Sequence, residues 1–383
     1  MREAVIVEGV RTPVGRKNGF LKDIRADDLA AEALKALVGR AGIDPQIIDD
    51  IILGCVSQIG EQTGDIARVA ALIAGFPIEV PGTTIDRQCG SSQQAVHFAA
   101  QAILAGDMDI VIAGGVESMS RVPIGSSYQD VGFSEKLTER HEIIHQGLSA
   151  ERIAEKYGFT REVLDRYSFE SHQKALKAQA EGRFKREIAP LNVTLSDGQL
   201  MAVSEDSGPR KETSLKALGS LRTVFKENGV IHAGNSSQIS DGAAALLIMS
   251  RDKADELGIK PRFRILSRTA VGSDPTLMLT GPIPATEKVL KNAGMAIEDI
   301  DVFEVNEAFA PVPLAWLKET GANPAKLNPN GGAIALGHPL GGSGARLMVT
   351  MMHELERTGG RYGLQTMCEG LGMANATIIE RLD

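Results

Sequence analysis

Ala41-Gly-Ile-Asp-Pro-Gln-Ile-Ile-Asp-Asp-Ile-Ile-Leu-Gly-Cys-Val56 reads as a helix ending at a glycine, a short acidic turn and then a buried strand. The C-terminal third returns to this pattern in Ala293-Gly-Met-Ala-Ile-Glu-Asp-Ile-Asp-Val-Phe-Glu-Val305. A second match follows in the same order: a Gly/Ser-rich turn opens a helix at Cys89-Gly-Ser-Ser-Gln-Gln-Ala and again at Gly341-Gly-Ser-Gly-Ala-Arg. A third completes the series, since each of those helices leads to a strand that ends in glycines, Ile110–Gly115 and Leu364–Gly372. Chance produces one similar pair of strand–helix–strand segments easily. Three matches in register along the chain point to a duplication.

Outward from these segments, Val5–Val7, Ile51–Cys55, Thr83–Ile85 and Ile110–Ala113 read as buried strands. Between them Asp27–Ala41, Gly64–Ala74 and Ser91–Ala105 carry helical spacing and many alanines. Such alternation predicts an α/β fold with a mostly parallel sheet covered on both faces. From Ser120 to about Ile231 the chain is richer in charge and holds a helix over Thr160–Glu181, with Tyr167, Phe169 and Ala175 among Lys, Arg and Glu. This reads as an inserted, loop-rich subdomain that serves as a lid, a cofactor cradle or an oligomer contact. The expected division is 1–119 with 233–258, the insertion 120–232, and 259–383, which suits a chain of 383 residues.

With 43% hydrophobic and 23% charged residues the chain can bury a sizeable core. No run approaches the ~18–20 apolar residues of a membrane span. Ala4-Val-Ile-Val-Glu is a strand rather than a signal peptide, and Arg-Leu-Asp at the end is no peroxisomal address. The cytoplasm is the expected location. A net charge of −8 argues against broad nucleic-acid or anionic-membrane surfaces, while leaving room for a local basic pocket. Cys55, Cys89 and Cys368 are odd in number and far apart, so they form no disulfide framework and suit a reducing setting.

The chemistry concentrates at strand ends. Cys89 stands between a strand and the helix near Ser91, where free N–H groups and the helix dipole favour a thiolate. By position alone it is equally a small buried filler. His338 lies in Asn328-Pro-Asn-Gly-Gly-Ala-Ile-Ala-Leu-Gly-His-Pro-Leu-Gly-Gly-Ser-Gly-Ala-Arg, held between Gly337 and Pro339 before a helix equivalent to that of Cys89. A histidine so constrained suits proton transfer or oxyanion donation. Cys368, in Met367-Cys-Glu-Gly-Leu-Gly, ends another strand, and Asn306, in Val305-Asn-Glu-Ala-Phe-Ala, marks a strand-to-helix junction. Alone, Asn306 reads more simply as a helix N-cap. No zinc-ligand spacing, phosphate-binding loop or dinucleotide fingerprint is present. Together the four residues suggest acyl transfer through a thioester.

These motifs, with Gly115-Val-Glu-Ser-Met-Ser, Asn235-Ser-Ser-Gln-Ile-Ser-Asp-Gly-Ala-Ala and Gly337-His-Pro, resemble in order those of thiolases, across nearly the whole chain. The resemblance is to bacterial acetyl-CoA acyltransferases, including the branch associated with fatty-acid and steroid side-chain breakdown. It implies duplicated βαβαβαββ halves in a five-layered αβαβα core, and reversible 3-ketoacyl-CoA thiolysis or Claisen condensation. Cys89 would be the acylated nucleophile, His338 the acceptor of its proton, and Cys368 the group exchanging the acetyl α-proton. Asn306 would hold a water that, with His338, binds the thioester oxygen. The N–H groups of Cys89 and Gly370 would form a second oxyanion hole. Cys368, taken near its reference pKa of ~8.5, would give and take its proton readily. Ser237, Arg210, Gln146, Ala308 and Phe309 would contact substrate or CoA, with Ser237 on the pantetheine and Arg210 near the nucleotide. Acetyl-CoA, CoA and 3-ketoacyl-CoA are the implied partners, CoA is a substrate rather than a cofactor, and no metal is implied.

Some positions depart from the family pattern. Asp86 replaces a frequent asparagine, Ser92, Leu371 and Ala374 replace glycines, and Gln146 stands where methionine is frequent. The stretch from Ser120 to His145 is short against the family's tetramerising loop, so the implied assembly is a homodimer or homotetramer, with Thr83–Ile85 as the dimer contact. Two competing readings are a ketoacyl synthase, which would lack Cys368-Glu-Gly, and a non-catalytic lipid or CoA carrier, which would lack one of the four reacting residues.

Overall fold

The computed structural model describes residues 2–129, 131–194 and 198–382. Asp130 and residues 195–197, which fall in the expected insertion, lie outside the described residues, as do the terminal Met1 and Asp383. The first half supplies β1 (Ala4–Arg11), α1 (Ala26–Ala41), β2 (Asp50–Gly54), α2 (Ile66–Ile73), β3 (Thr83–Ile85), α3 (Ser91–Ala105), β4 (Ile110–Ser118) and, beyond the insertion, β5 (Ser240–Ser250). The insertion carries α4 (Gln146–Tyr157), α5 (Arg161–Ala180) and a ribbon pairing Leu191–Thr194 with Leu200–Val203. The second half comprises β6 (Phe263–Gly272), α6 (Pro282–Ala293), β7 (Val302–Val305), α7 (Pro311–Thr320), α8 (Ser343–Thr358), β8 (Tyr362–Glu369) and β9 (Met373–Arg381).

The duplication is visible in the strand order. The first half runs β3-β2-β4-β5-β1 and the second β7-β8-β9-β6, joined by a short antiparallel contact, Val5 with Arg264 and Ile6 with Phe263, into one sheet whose tenth strand is the two-residue Gly15–Arg16 paired with the start of β5. Where β3 flanks β2, the second half has only Leu327, bridging Phe303 in parallel. Pro324 opens a tight turn before it and Asn328 turns left-handed after it (φ 43°), so a single residue stays extended. The expectation of a mostly parallel sheet needs correction. Among the described strands, those paired in parallel are β2 with β3, β2 with β4 and β7 with β8, while the other long pairs are antiparallel. Helical crossovers permit the former, whereas β8 returns as β9 through a short glycine turn, which forces the latter.

The central strands β4 and β5 are buried along their whole length, as a doubly covered sheet requires. In β5, Ala243, Ala245, Leu247 and Met249 join the core under α1 and α2, while Ala244, Leu246 and Ile248 join the core around α3 and α8. The second core also takes Phe263, Val302 and Ile379 from the other half. Thus α3 and α8 pack together between the two parts of the sheet, with α1 and α2 outside one part and α6 and α7 outside the other. Helix, sheet, helix pair, sheet, helix: these are the five layers. The central pair matters most for chemistry, because both its N-termini point to one place.

Candidate active site

The strand ends converge as the motifs suggested. Cys89 lies two residues before α3 and His338 five residues before α8, with a tight turn at Leu340–Gly342 between. The helix starts are therefore related but not equivalent. The loop before α8 reaches the first half by close backbone packing, since a Cβ on Gly341 would sit 2.7 Å from Cys55 Cα and from the Val116 carbonyl. Glu117, fully buried, fastens the junction: its carboxylate accepts from the N–H groups of Val56 (2.9 Å), Ser57 (3.1 Å) and Gly341 (2.9 Å) and from Gln62 Nε2 (2.7 Å). Glu117→Ala orphans these donors, each costing about 1–3 kcal/mol when buried. Urea unfolding should show stability reduced by about 3 kcal/mol or more, and activity should fall as the His338 loop loosens.

His338 is buried, and its ring is set by a residue that sequence reasoning used only as a helix opener. Ser343 Oγ donates to the Pro339 carbonyl (2.8 Å), so it accepts from His338 Nδ1 at 2.6 Å. That places the proton on Nδ1 and leaves Nε2 as the ring's accepting nitrogen. Asn306 Nδ2 lies 3.4 Å from this Nε2, and Asn306 Oδ1, also buried, has no protein partner among the described residues. Asn306 is not a helix cap: α7 begins at Pro311, with Ala310 before it. Burial, reinforced by the charge of Arg346, lowers the His338 pKa to about 3, so the imidazole is neutral and able to accept a proton.

Neither cysteine has the acidity expected from sequence. Burial, then the neighbouring Cys368 and Glu369, holds the Cys89 thiol well above its ordinary range, overriding the helix terminus that was expected to favour thiolate. Burial, with Glu369 beside it, pushes Cys368 up to about 12 rather than leaving it near its reference value. Glu369 itself rises to about 8, because it is buried and only partly offset by Arg87. A side chain on Gly90 would run into this carboxyl, which is why glycine follows Cys89. Cys89 reaches the cavity; Cys368 is the more deeply buried of the two.

A cavity of about 890 Å³ opens above Cys89, His338 and Gly370. Gln146, Arg210, Ser237, Ala308 and Phe309 line it too, whereas Asn306 and Cys368 lie behind its wall. The Ser237 N–H donates to the Ala308 carbonyl at 2.9 Å and Ser236 bridges Phe309, so the two loops form one surface. Phe225 stacks on His145 with centroids 5.0 Å apart. Sequence reasoning missed Phe225, and also Arg16 and Lys17, which with Arg210 give the cavity a basic rim. The insertion is tied down by Glu307, whose carboxylate accepts from Tyr167 (2.9 Å), Ser171 (2.7 Å), Asn328 Nδ2 (3.1 Å) and the Ile334 N–H (3.1 Å).

Two family models match this chain: the N-terminal domain of thiolase over residues 4–252 and the C-terminal domain over 259–381. A steroid 3-ketoacyl-CoA thiolase from Mycobacterium tuberculosis is 51% identical, covering 100% of this chain and 95% of the relative. A 3-ketoacyl-CoA thiolase from Idiomarina loihiensis is 49% identical, with both proteins covered in full. Among solved structures, the acetyl-CoA acetyltransferase of Bacillus anthracis superposes with a TM-score of 0.92 at 38% identity, covering 100% of this chain and 99% of that one. With its duplicated halves meeting at Cys89 and His338, the chain belongs to the thiolase family and is an acyltransferase of the thiolase type.

Proposed function

We propose that Cys89, His338, Asn306, Cys368 and Gly370 carry out reversible thiolysis of 3-ketoacyl-CoA, run mainly in the degradative direction. The observation that carries this reading is a neutral His338, with Nε2 as its accepting nitrogen, sharing one cavity with the protonated Cys89. His338 takes the Cys89 proton as Sγ attacks the C3 carbonyl. The C2–C3 bond then breaks, its electron pair forming the enolate of acetyl-CoA, and the acyl group stays on Cys89. Cys368, being protonated at neutral pH, returns a proton to that enolate carbon. The thiol of a second CoA next attacks acyl-Cys89, its proton passing to the Cys368 thiolate; the shortened acyl-CoA departs as Cys89 leaves and recovers its proton from His338. N–H groups of Cys89 and Gly370 stabilise one oxyanion, and His338 with a water on Asn306 Oδ1 the other, each donor worth about 3 kcal/mol.

CoA enters as a substrate, with its pantetheine along Ser237, Ala308 and Phe309 and its phosphates toward the basic rim at Arg210. No metal or further cofactor takes part in this scheme. On the same reading the chain divides into 1–119 with 233–258, 120–232 as the CoA cradle, and 259–383. The enzyme works in the cytoplasm; no described helix is long and apolar enough to cross a membrane. Loss of absorbance from acetoacetyl-CoA on adding CoA tests the activity, and its absence over a range of chain lengths would overturn the reading. Cys368→Ser should still acetylate Cys89 from acetyl-CoA but exchange the acetyl α-protons ~10²–10⁴-fold more slowly. Exchange at the wild-type rate would assign the base elsewhere.

The assembly belongs to the same proposal. β3 closes one end of the sheet, and the apolar Leu72, Ile73 and Ile78 near it are exposed in the single chain. Two copies pairing β3 across a twofold axis would cover them and brace the Cys89 loop. Light scattering at micromolar concentration should give twice or four times the chain mass; a single-chain mass would remove this contact.

A further inference from the structure

We propose that the acyl group carries a second, uncharged oxygen function, a ketone or a hydroxyl, recognised by the side-chain amides of Gln88 and Gln146. This rests on the thiolysis reading and specifies its substrate class. The two amides converge over Gly370: a Cβ placed there would lie 2.9 Å from Gln88 Oε1 and 3.4 Å from Gln146 Nε2. Gln88 Nε2 donates weakly to the Tyr128 hydroxyl at 3.4 Å. Gln88 Oε1 and the Gln146 amide have no hydrogen-bond partner among the described residues. Both line the reaction cavity beside Cys89.

The surroundings make these free amides selective. Ile124, Phe133 and Leu371 give this side of the cavity an apolar wall. A hydrocarbon chain seated there covers the amides and strips their water without replacing the hydrogen bonds, whereas an oxygen at their level restores them. A carboxylate is disfavoured, because both groups are neutral and the wall supplies no counter-charge.

The backbone points the same way. Among the described residues, the non-glycine positions with positive φ are Asn18, Asp65, Asn228 and Asn328, the types that tolerate it, together with Gln88 (φ 49°) and Leu371 (φ 64°), which do not. Both of these unfavourable conformations line the cavity next to Gly370, Leu371 following it in the chain and Gln88 reaching it with Oε1. Asp86 Oδ1 accepts from the Gln88 N–H at 2.6 Å and so holds the turn that aims the amide inward. Strain retained at a site in this way marks side chains kept for what they contact.

The test compares kcat/KM for chain-matched substrates with the wild-type enzyme: 3-oxooctanoyl-CoA against analogues bearing an added ketone at carbon 6 or 7, or an added hydroxyl at carbon 6, 7 or 8. At least one oxygenated analogue should be preferred by about tenfold or more. Gln146→Met and Gln88→Leu should each pull that ratio toward one. Equal cleavage of plain and oxygenated chains by the wild type overturns this inference and leaves thiolysis standing. A preference that survives both substitutions also overturns it, because other groups would then be reading the oxygen. Failure to cleave any 3-ketoacyl-CoA removes thiolysis, and the amide reading with it.

Discussion

Cys89→Ala is expected to lower kcat/KM for 3-ketoacyl-CoA cleavage by ~10⁴-fold or more, since loss of a covalent nucleophile collapses both half-reactions. The competing thiols make the experiment decisive. Cys55 is fully buried behind the loop, with its sulfur 3.9 Å from Glu117 Oε1, and Cys368 lies behind the cavity wall. Peptide mass mapping of the wild-type enzyme after acetyl-CoA should therefore find the acetyl group on Cys89. Label confined to Cys55 or Cys368, or an alanine variant that still turns over normally, would overturn the assignment. The folded protein should be little affected, because Cys89 is a small side chain at the edge of a cavity.

His338→Ala should cost about 10³–10⁴-fold, as it removes both the acceptor of the Cys89 proton and an oxyanion donor, which act as a unit and do not add. The wild-type pH profile gives a second readout. With the His338 pKa lowered to about 3, the imidazole stays neutral far below the ordinary ~6.5 of free histidine. Its protonation should therefore not cut the rate between pH 5 and 7; an acid limb near 6.5 that disappears in His338→Ala would contradict the burial argument. The same shift has a stability consequence with a fixed sign. Between the two pKa values the unfolded chain binds a proton that the folded one does not, so stability is lost as pH falls from about 6.5 toward 3. Above about 6.5 both forms are neutral and this group contributes no pH dependence.

The alternation of strands and helices, the repeat that places Ala293–Val305 against Ala41–Val56, and the strand-end positions of Cys89, Asn306, His338 and Cys368 are legible locally. They depend on hydrophobic period, glycine punctuation and short motifs, each contained within a few residues. The gathering of Ser237, Ala308 and Phe309 into one surface also followed from motif order, by resemblance. Direction within the sheet was not legible, because a buried strand has the same apolar run whether its neighbour is parallel or antiparallel.

Ionisation was read wrongly for a related reason. A helix start is visible in sequence, whereas the burial that overrides it comes from packing of both halves around the site, with the charges of Glu369 near Cys89 and Arg346 near His338 adding to it. The His338 tautomer depends on Ser343 spending its own proton on Pro339, a geometric fact of one turn. Likewise Gln146 and Leu371 are separate departures from the family pattern, and Gln88 an ordinary residue beside Cys89, until the fold brings them around Gly370. The sequence by itself determined the fold class, its duplication and which residues stand as the candidate reacting groups, because these reside in local pattern. Only the tertiary structure decided their protonation, orientation and the polarity of the acyl wall, because those are set by burial and by neighbours that chain order does not reveal.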